Sequence, residues 1–354
     1  MTQPRWWDPA IMHCGSEAEA FVRGFFSQPG RKVLFVAGAG FDPRATHGCN
    51  GLAAVAPQAD AVLVREERPN PAPELVRRAE ENLAIMQKAL PQAQVKRLDV
   101  FAPDGAIVGG RAAVLALRPL SLLDYSDVVI DLSALSIGIA YPMVRYLHDQ
   151  IRQLKPTTNL HVLVTDQPVT DDSIVPEPSD RVDTVHGFQG GLDLDEHAHA
   201  TRLWLPQLVK GKRAVLERIR ADVEPHDVCP ILPFPARNPR LADELIEHYS
   251  EEFESTWEVD ARSIVYADQQ NPLDLYRSVL RIAEARQRVY AQVGGSLIIL
   301  SPLGSKALAL GAMMAAIERN FTVVYVEAIS YTLKAAPGEA APSNTRTLIQ
   351  VWLT

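Results

Sequence analysis

Short apolar runs alternate with amphipathic stretches along most of the chain. In the first half, strands are predicted at residues 33–37, 61–65, 95–100, 128–132 and 161–165, and most of these segments are apolar runs of strand length. Between them, residues 73–90 carry apolar side chains at helical spacing, and a second helix is predicted from about 138 to 154. Apolar strands separated by helices are typical of parallel βαβ units. The first half is therefore predicted to be Rossmann-like.

The second half repeats this rhythm. Strands are predicted at residues 228–232, 263–266, 296–300, 322–326 and 347–352, with helices at 238–253, 273–293 and 305–319. The segment between the halves is rich in proline, glycine and acids and has lost any hydrophobic period. The predicted fold is α/β with two Rossmann-like halves, each a mostly parallel sheet flanked by helices. The predicted boundaries are 1–170 for the first half, 171–205 for an irregular connection and 206–354 for the second half.

Composition narrows the function classes. The 354 residues are 47% hydrophobic and 22% charged, with a formal net charge of −8 from 43 acidic and 35 basic side chains. Such a surface repels a phosphate backbone, so nucleic acid is an unlikely partner, although one pocket can still be basic. The three cysteines have no zinc-site or disulfide spacing, which favours a reducing, cytoplasmic location. No stretch approaches the roughly 20 apolar residues that span a bilayer, so no membrane association is expected.

Ligands of open parallel sheets bind beyond the carboxyl ends of the strands, which directs attention to the loop after each strand. The first such loop contains Gly38, Gly40, Asp42 and Arg44. Glycine lets a backbone approach a ligand closely, Asp42 suits a ribose hydroxyl or a metal, and Arg44 suits phosphate. The loop is neither a complete G-x-G-x-x-G nor a P-loop. A structural turn with a surface Asp–Arg pair is the alternative interpretation.

The loop after the fourth strand contains Asp131, Ser133 and Ser136. An acid at the end of an apolar strand is costly unless it has a partner, and the serines could turn the next helix's N–H groups toward an anion. A plain helix cap with an Asp satisfied by a neighbouring loop is the alternative interpretation.

In the second half, Ser301, Gly304, Ser305 and Lys306 lie between a core strand and an alanine-rich helix. A lysine at a helix N-terminus is disfavoured by the helix dipole, and a bound anion would explain it. A solvated lysine after a capping serine is the alternative.

Two further groups are less specific. Arg237 and Arg240 follow a proline-rich loop and could complete an anionic pocket or simply be exposed. The central segment carries Asp193, Asp195, Glu196, His197 and His199, but their spacing matches no standard metal site, so no metal site is predicted.

The loops at 38–44 and 131–136 resemble those of CARF domains, and of SAVED domains that look like two such units fused. These are Rossmann-like sensor domains of bacterial antiviral defence. The sequence departs from many CARF domains in lacking a Gly-Gly-Thr-Lys type of loop after the fourth strand. The resemblance implies sensing of a cyclic oligonucleotide through these loops, with any effector activity in a partner chain.

Together these features predict binding of a small phosphorylated, nucleotide-like molecule. No cofactor is assigned from the sequence, and Mg²⁺ accompanying a nucleotide is the one candidate. Two alternatives stay open. One is a nucleotide or N-glycosyl hydrolase with Asp42 or Asp131 as general base or metal ligand. The other is a scaffold subunit that binds a protein partner or forms a homo-oligomer.

Overall fold

The computed structural model describes residues 11–153, 158–190, 200–292, 294–334 and 346–353. The chain forms two compact units. Unit 1 comprises residues 1–177 and 328–354, and unit 2 comprises residues 178–327. Unit 2 is thus inserted between two segments of unit 1.

The first segment of unit 1 alternates strands with helices. In chain order its elements are β1 (Ile11–Cys14), α1 (Ser16–Phe26), β2 (Val33–Gly38), α2 (Ala45–Ala53), β3 (Asp60–Glu67), α3 (Pro73–Ala89), β4 (Gln94–Asp99), α4 (Gly109–Leu117), β5 (Asp127–Asp131), α5 (Ile137–Gln153), β6 (Asn159–Asp166), α6 (Pro168–Ser173) and β7 (Ile174–Pro178).

Unit 2 follows, and the chain then returns to unit 1. The elements of unit 2 are β8 (Asp183–Thr184), β9 (Thr201–Pro206), α7 (Arg213–Val223), β10 (Asp227–Val228), β11 (Ile231–Pro233), α8 (Leu241–His248), β12 (Val265–Ala267), α9 (Pro272–Tyr290), β13 (Ser296–Ser301), α10 (Lys306–Arg319) and β14 (Thr322–Tyr325). The returning segment contains β15 (Ala328–Leu333) and β16 (Thr347–Trp352).

The sheet of unit 1 has seven strands in the order β1-β16-β6-β5-β2-β3-β4. Strands β6, β5, β2, β3 and β4 are parallel, whereas β16 runs antiparallel to both β6 and β1. Every residue of β2 and β5 is buried, as expected of central strands with helices on both faces. On one face, α1 and α2 pack over β2 and β3 around Phe26, Phe35, Leu52 and Leu63.

The sheet of unit 2 has the order β10-β9-β13-β14-β8, and β11 pairs with β12 beside it. A parallel bridge between Gln207 and Ile231 continues the pairing from the end of β9 to β11. Strands β9, β10, β13 and β14 are parallel, and β8 is antiparallel to β14. The predicted α/β fold with two Rossmann-like, mostly parallel sheets is confirmed.

Two details differ from the sequence-based expectation. The last predicted strand belongs to the first sheet, because all six residues of β16 pair with β6. The segment 171–205 is less irregular than expected, since it contains β7, β8 and most of β9, whose Leu203, Trp204 and Leu205 are fully buried. Prolines, glycines and acids around these short strands hide them in the sequence.

Candidate functional site

The strand order of unit 1 reverses between β2 and β5, which places the loops after these two strands side by side. A Cβ atom on Gly38 would lie 2.8 Å from the carbonyl oxygen of Ala134 and 2.9 Å from Cδ2 of Leu135. Gly38 is therefore required for the contact between the two loops. In open α/β sheets such a reversal marks the crevice where ligands bind. The two loops singled out in the sequence do meet at this crevice.

Arg44 does not offer its guanidinium to this crevice. Its Nε and Nη2 donate to the Asp42 carboxylate at 2.7–3.2 Å, and its Nη1 donates to Asp171 Oδ1 at 2.7 Å. Burial alone would lower the pKa of Arg44, but the two carboxylates raise it above its ordinary value. The pair is buried, unlike the surface pair considered from sequence. Arg44 and Asp42 form a clamp that shapes the β2–α2 loop.

Asp131 also has a structural partner. The backbone N–H of Ser133 donates to Asp131 Oδ1 at 2.9 Å, and the Ser133 hydroxyl donates to the same oxygen. The Ser133 hydroxyl in turn accepts the Thr165 N–H at 2.8 Å, which ties β5 to β6. Asp131 lies against Gly48 of α2 so closely that a Cβ atom there would overlap the carboxylate. With Asp131 2% exposed, this arrangement supports the structural interpretation over a catalytic base.

The N-terminus of α5 already holds a carboxylate of this chain. The Ser136 N–H donates to Glu66 Oε1 at 2.7 Å, and Glu66 Oε2 pairs with Arg68 Nη2 at 2.9 Å. A helix N-terminus favours an anion, and here Glu66 is that anion. The expected anion site at Ser136 is therefore filled by a side chain from the end of β3.

An open depression of about 340 Å³ lies beside the β2–α2 loop, between that loop and α3. Its lining residues are Phe41, Pro43, Arg77, Arg78, Glu81 and Asn82. The Asn82 amide donates to the carbonyl oxygens of Gly40 and Asp42 at 2.8 and 3.0 Å, which fixes the loop against the helix. Arg77 pairs with Glu81 at 2.6 Å and Arg78 with Glu74 at 2.7 Å, all four side chains being exposed.

Sequence reasoning missed several of these residues. Arg77 and Arg78 look like an ordinary helix surface, and only the fold brings them beside the β2–α2 loop. Thr165 and Asp166, both 0% exposed, end β6 as Asp131 ends β5. The rule that singled out Asp131, an acid closing an apolar strand, would also have found Asp166.

In unit 2, the predicted anion loop is closed by a glutamine at the end of β9. The Gly304 N–H donates to Gln207 Oε1 at 2.9 Å, and Gln207 Nε2 donates to the Leu308 carbonyl oxygen at 3.1 Å. The Ser305 hydroxyl caps α10 by accepting the Leu308 N–H at 3.3 Å, and Ser301 accepts a hydrogen bond from Trp204. Lys306 is the first residue of α10 and is partly exposed. Anion binding by Lys306 stays a prediction.

The remaining predicted residues are dispersed. Arg237 and Arg240 are both exposed; the Arg237 N–H donates to Gln269 Oε1 at 3.1 Å and the Arg240 N–H donates to Asn238 Oδ1 at 3.1 Å. Gln269 also accepts the Ser305 hydroxyl at its carbonyl oxygen, which links the Arg237 loop to the start of α10. The acidic and histidine-rich group at 193–199 lies outside the described residues.

Among the residues that the structure describes, no three His, Cys, Asp or Glu side chains are grouped so that they could hold a metal ion. Within the same ranges, no helix combines the length and apolar character needed to cross a bilayer.

Comparisons with known proteins identify no family. No family model matches the chain, and no curated protein matches it. Among solved structures, it is similar to the cytoplasmic domain of a prokaryotic cation chloride cotransporter, with 10% identity, TM-score 0.24, and coverage of 84% of this chain and 96% of that one. It is also similar to the delta-N METTL16 MTase domain, with 11% identity, TM-score 0.23, and coverage of 47% and 73%. At these TM-scores neither structure shows a shared fold, and the α/β architecture is seen in the strand order of the chain itself.

Proposed function

We propose that the chain binds a phosphorylated, nucleotide-like small molecule in unit 1, at the depression between the β2–α2 loop and α3. The observation that carries the proposal is that Phe41, Arg77 and Arg78 line one depression at the carboxyl end of the central strand β2. An aromatic ring offers a stacking surface for a base, and arginine is suited to phosphate. The depression is within the usual volume range of small-molecule sites.

The ion pairs of the two arginines are compatible with this role. Exposed pairs such as Arg77–Glu81 and Arg78–Glu74 contribute little to stability, so exchanging a carboxylate for a phosphate costs little. Arg44, by contrast, is committed to Asp42 and Asp171. The proposed phosphate ligands are therefore Arg77 and Arg78, with Arg44 holding the loop in place.

The resemblance to CARF and SAVED domains makes a cyclic oligonucleotide the first ligand to test and a sensor or accessory subunit in bacterial defence the corresponding role. Magnesium enters this proposal only as part of the nucleotide's own phosphate complex. The hydrolase alternative gains no support from the geometry, because Asp42 is engaged by Arg44 and Asp131 by Ser133.

The test is a calorimetric titration with a cyclic oligonucleotide, ATP, NAD and a sugar phosphate, with and without Mg²⁺. For the compound that binds, Arg77→Ala and Arg78→Ala should each weaken binding by about tenfold or more, the usual value of a hydrogen bond to a charged group. Glu81→Gln should tighten binding, because it releases Arg77 from its partner. A general loss of structure would not produce opposite changes in affinity.

Arg97→Ala is the matched control. Arg97 is an exposed arginine of unit 1, paired with Glu67 at 2.6 Å, and it does not line the depression. Its substitution should leave affinity unchanged. Absence of binding across the panel, or equal effects of the Arg97 and Arg77 substitutions, would reject this site and favour the scaffold alternative.

A further inference from the structure

The chain passes between its two units through β7 and β15, which pair as a two-stranded sheet, here called the connecting ribbon. The chain leaves unit 1 after residue 177 and re-enters it at residue 328. The Lys334 N–H donates to the Ser173 carbonyl oxygen at 2.9 Å, and the Ser330 hydroxyl donates to Glu177 Oε2 at 2.5 Å. Every covalent connection between the units therefore runs through this ribbon.

One strand of the ribbon contacts the β2–α2 loop through aromatic side chains. The ring of Tyr331 in β15 lies 5.3 Å from the ring of Phe41. Arg68 is placed over the Tyr331 ring at 5.1 Å and donates to the Ala328 carbonyl oxygen. The same Arg68 pairs with Glu66. β15 is thus joined to the residues that surround the crevice of unit 1.

The helix that precedes the other strand is joined to the same loop through an ion pair. Asp171 lies in α6, which runs directly into β7, and it accepts from Arg44 Nη1 at 2.7 Å. Arg44 is held at its other nitrogens by Asp42. One short loop therefore contacts β15 through Phe41 and, through the Asp42–Arg44 clamp, contacts the helix that leads into β7.

We infer that the β2–α2 loop and the connecting ribbon are energetically coupled, so that a ligand on the loop regulates the ribbon that joins the two units. Phe41 lines the depression and also contacts Tyr331, so ligand and ribbon act on the same side chain. Coupling between two sites is reciprocal, so a substitution that destabilises the ribbon also destabilises the loop. The inference depends on the proposed function only for the identity of its effector.

Hydrogen exchange of the ligand-free full chain tests the coupling. Tyr331→Ala should speed exchange at Ala45 and His47, whose N–H groups donate to the Asp42 and Arg44 carbonyl oxygens. Aromatic pairs of this kind correspond to about a twofold to tenfold change in rate. Asp171→Asn should likewise speed exchange in 328–333.

Thr332→Ala and Val169→Ala are the controls, since both residues are exposed neighbours of the substituted positions. Neither substitution should change the hydrogen-exchange rates of the loop or the ribbon from their wild-type values. If Tyr331→Ala speeds exchange only within β7 and β15, the inference is overturned. If Tyr331→Ala speeds exchange throughout the chain, the exchange rates of β15 are measured in the milder variant Phe41→Leu instead. Unchanged β15 rates in Phe41→Leu also overturn the inference.

The two proposals fail in different measurements. Arg77→Ala should weaken ligand binding in the titration by about tenfold or more while leaving ligand-free exchange of the ribbon unchanged. Lost coupling with intact binding overturns this inference alone, and intact coupling without any ligand overturns the proposed function alone.

Discussion

Arg44 is 2% exposed, and its guanidinium is the cation for two carboxylates, Asp42 and Asp171. Removing one partner of a buried pair leaves the opposite charge without compensation. We expect Arg44→Ala to lower the free energy of unfolding by about 3 kcal/mol, near the low end for such pairs because Asp171 is partly exposed. Urea denaturation measures this.

The exposed Arg77 provides the comparison, because Arg77→Ala should change stability by less than about 1 kcal/mol. If the two variants unfold at the same urea concentration, the clamp is not the stabilising element described here. A loss of ligand binding in Arg44→Ala would then need another explanation than the position of the loop.

His161 is fully buried between Asp127 and Gln350. Gln350 Nε2 lies 3.1 Å from His161 Nδ1, and Asp127 Oδ1 lies 3.4 Å from His161 Nε2. The carboxylate only accepts, so these contacts fit a neutral ring protonated at Nε2. Burial lowers the pKa of His161 below 6.5, although Asp127 opposes the shift.

The His161 ring is therefore protonated at a lower pH in the folded state than in the unfolded state, where it is protonated at about pH 6.5. The stability that the neutral ring contributes is complete above that pH and is lost as the pH falls through and below it. We expect the free energy of unfolding to fall between pH 7 and pH 5, and to fall less in His161→Asn. His47 and His148, whose pKa values burial also lowers, supply the remaining slope. An identical slope in the variant would contradict this account.

At the scale of the element, α2 carries two glycines with opposite surroundings. A Cβ atom on Gly48 would overlap the Asp131 carboxylate, whereas one on Gly51 would meet nothing within 4 Å. We expect Gly48→Ala to destabilise the protein by about 1–3 kcal/mol, as overpacking does, and Gly51→Ala to stabilise it by up to about 1 kcal/mol. Thermal unfolding of both variants measures the difference, and equal changes would show that α2 does not pack on Asp131 as described.

The central strands could be predicted from sequence because a strand buried on both faces is a continuous apolar run, as in β2 and β5. Helix α2 was missed because its glycines, asparagine and histidine hide its apolar face. The sequence also predicted that the loops containing Gly38 and Asp131 lie side by side, because both follow strands whose carboxyl ends meet at one edge of the sheet. The clamp could not be predicted, since Asp171 lies 127 residues from Arg44 and only the folded chain brings it near.

At the scale of the whole molecule, both units place their first parallel strand in the middle of the order. In unit 1, β3 and β4 lie on one side of β2, and β5 and β6 on the other; in unit 2, β10 and β11 lie on one side of β9, and β13 and β14 on the other. In each sheet an antiparallel strand lies next to the outermost of these parallel strands: β16 pairs with β6, and β8 pairs with β14. Each unit thus has its own reversal point, and the loops predicted to bind ligands occupy both.

The return of β16 to the first sheet makes a prediction that separates the two units. Ile349 in β16 and Ile299 in β13 are both 0% exposed in their own sheets. Truncating either isoleucine to alanine should lower the free energy of unfolding by about 2–5 kcal/mol. Ile349→Ala should destabilise unit 1, and Ile299→Ala should destabilise unit 2. Hydrogen exchange should quicken in β5 and β6 for Ile349→Ala, and in β9 and β14 for Ile299→Ala. If Ile349→Ala instead quickens exchange in β9 and β14, the last strand belongs with residues 206–354, as the order of elements along the chain had suggested.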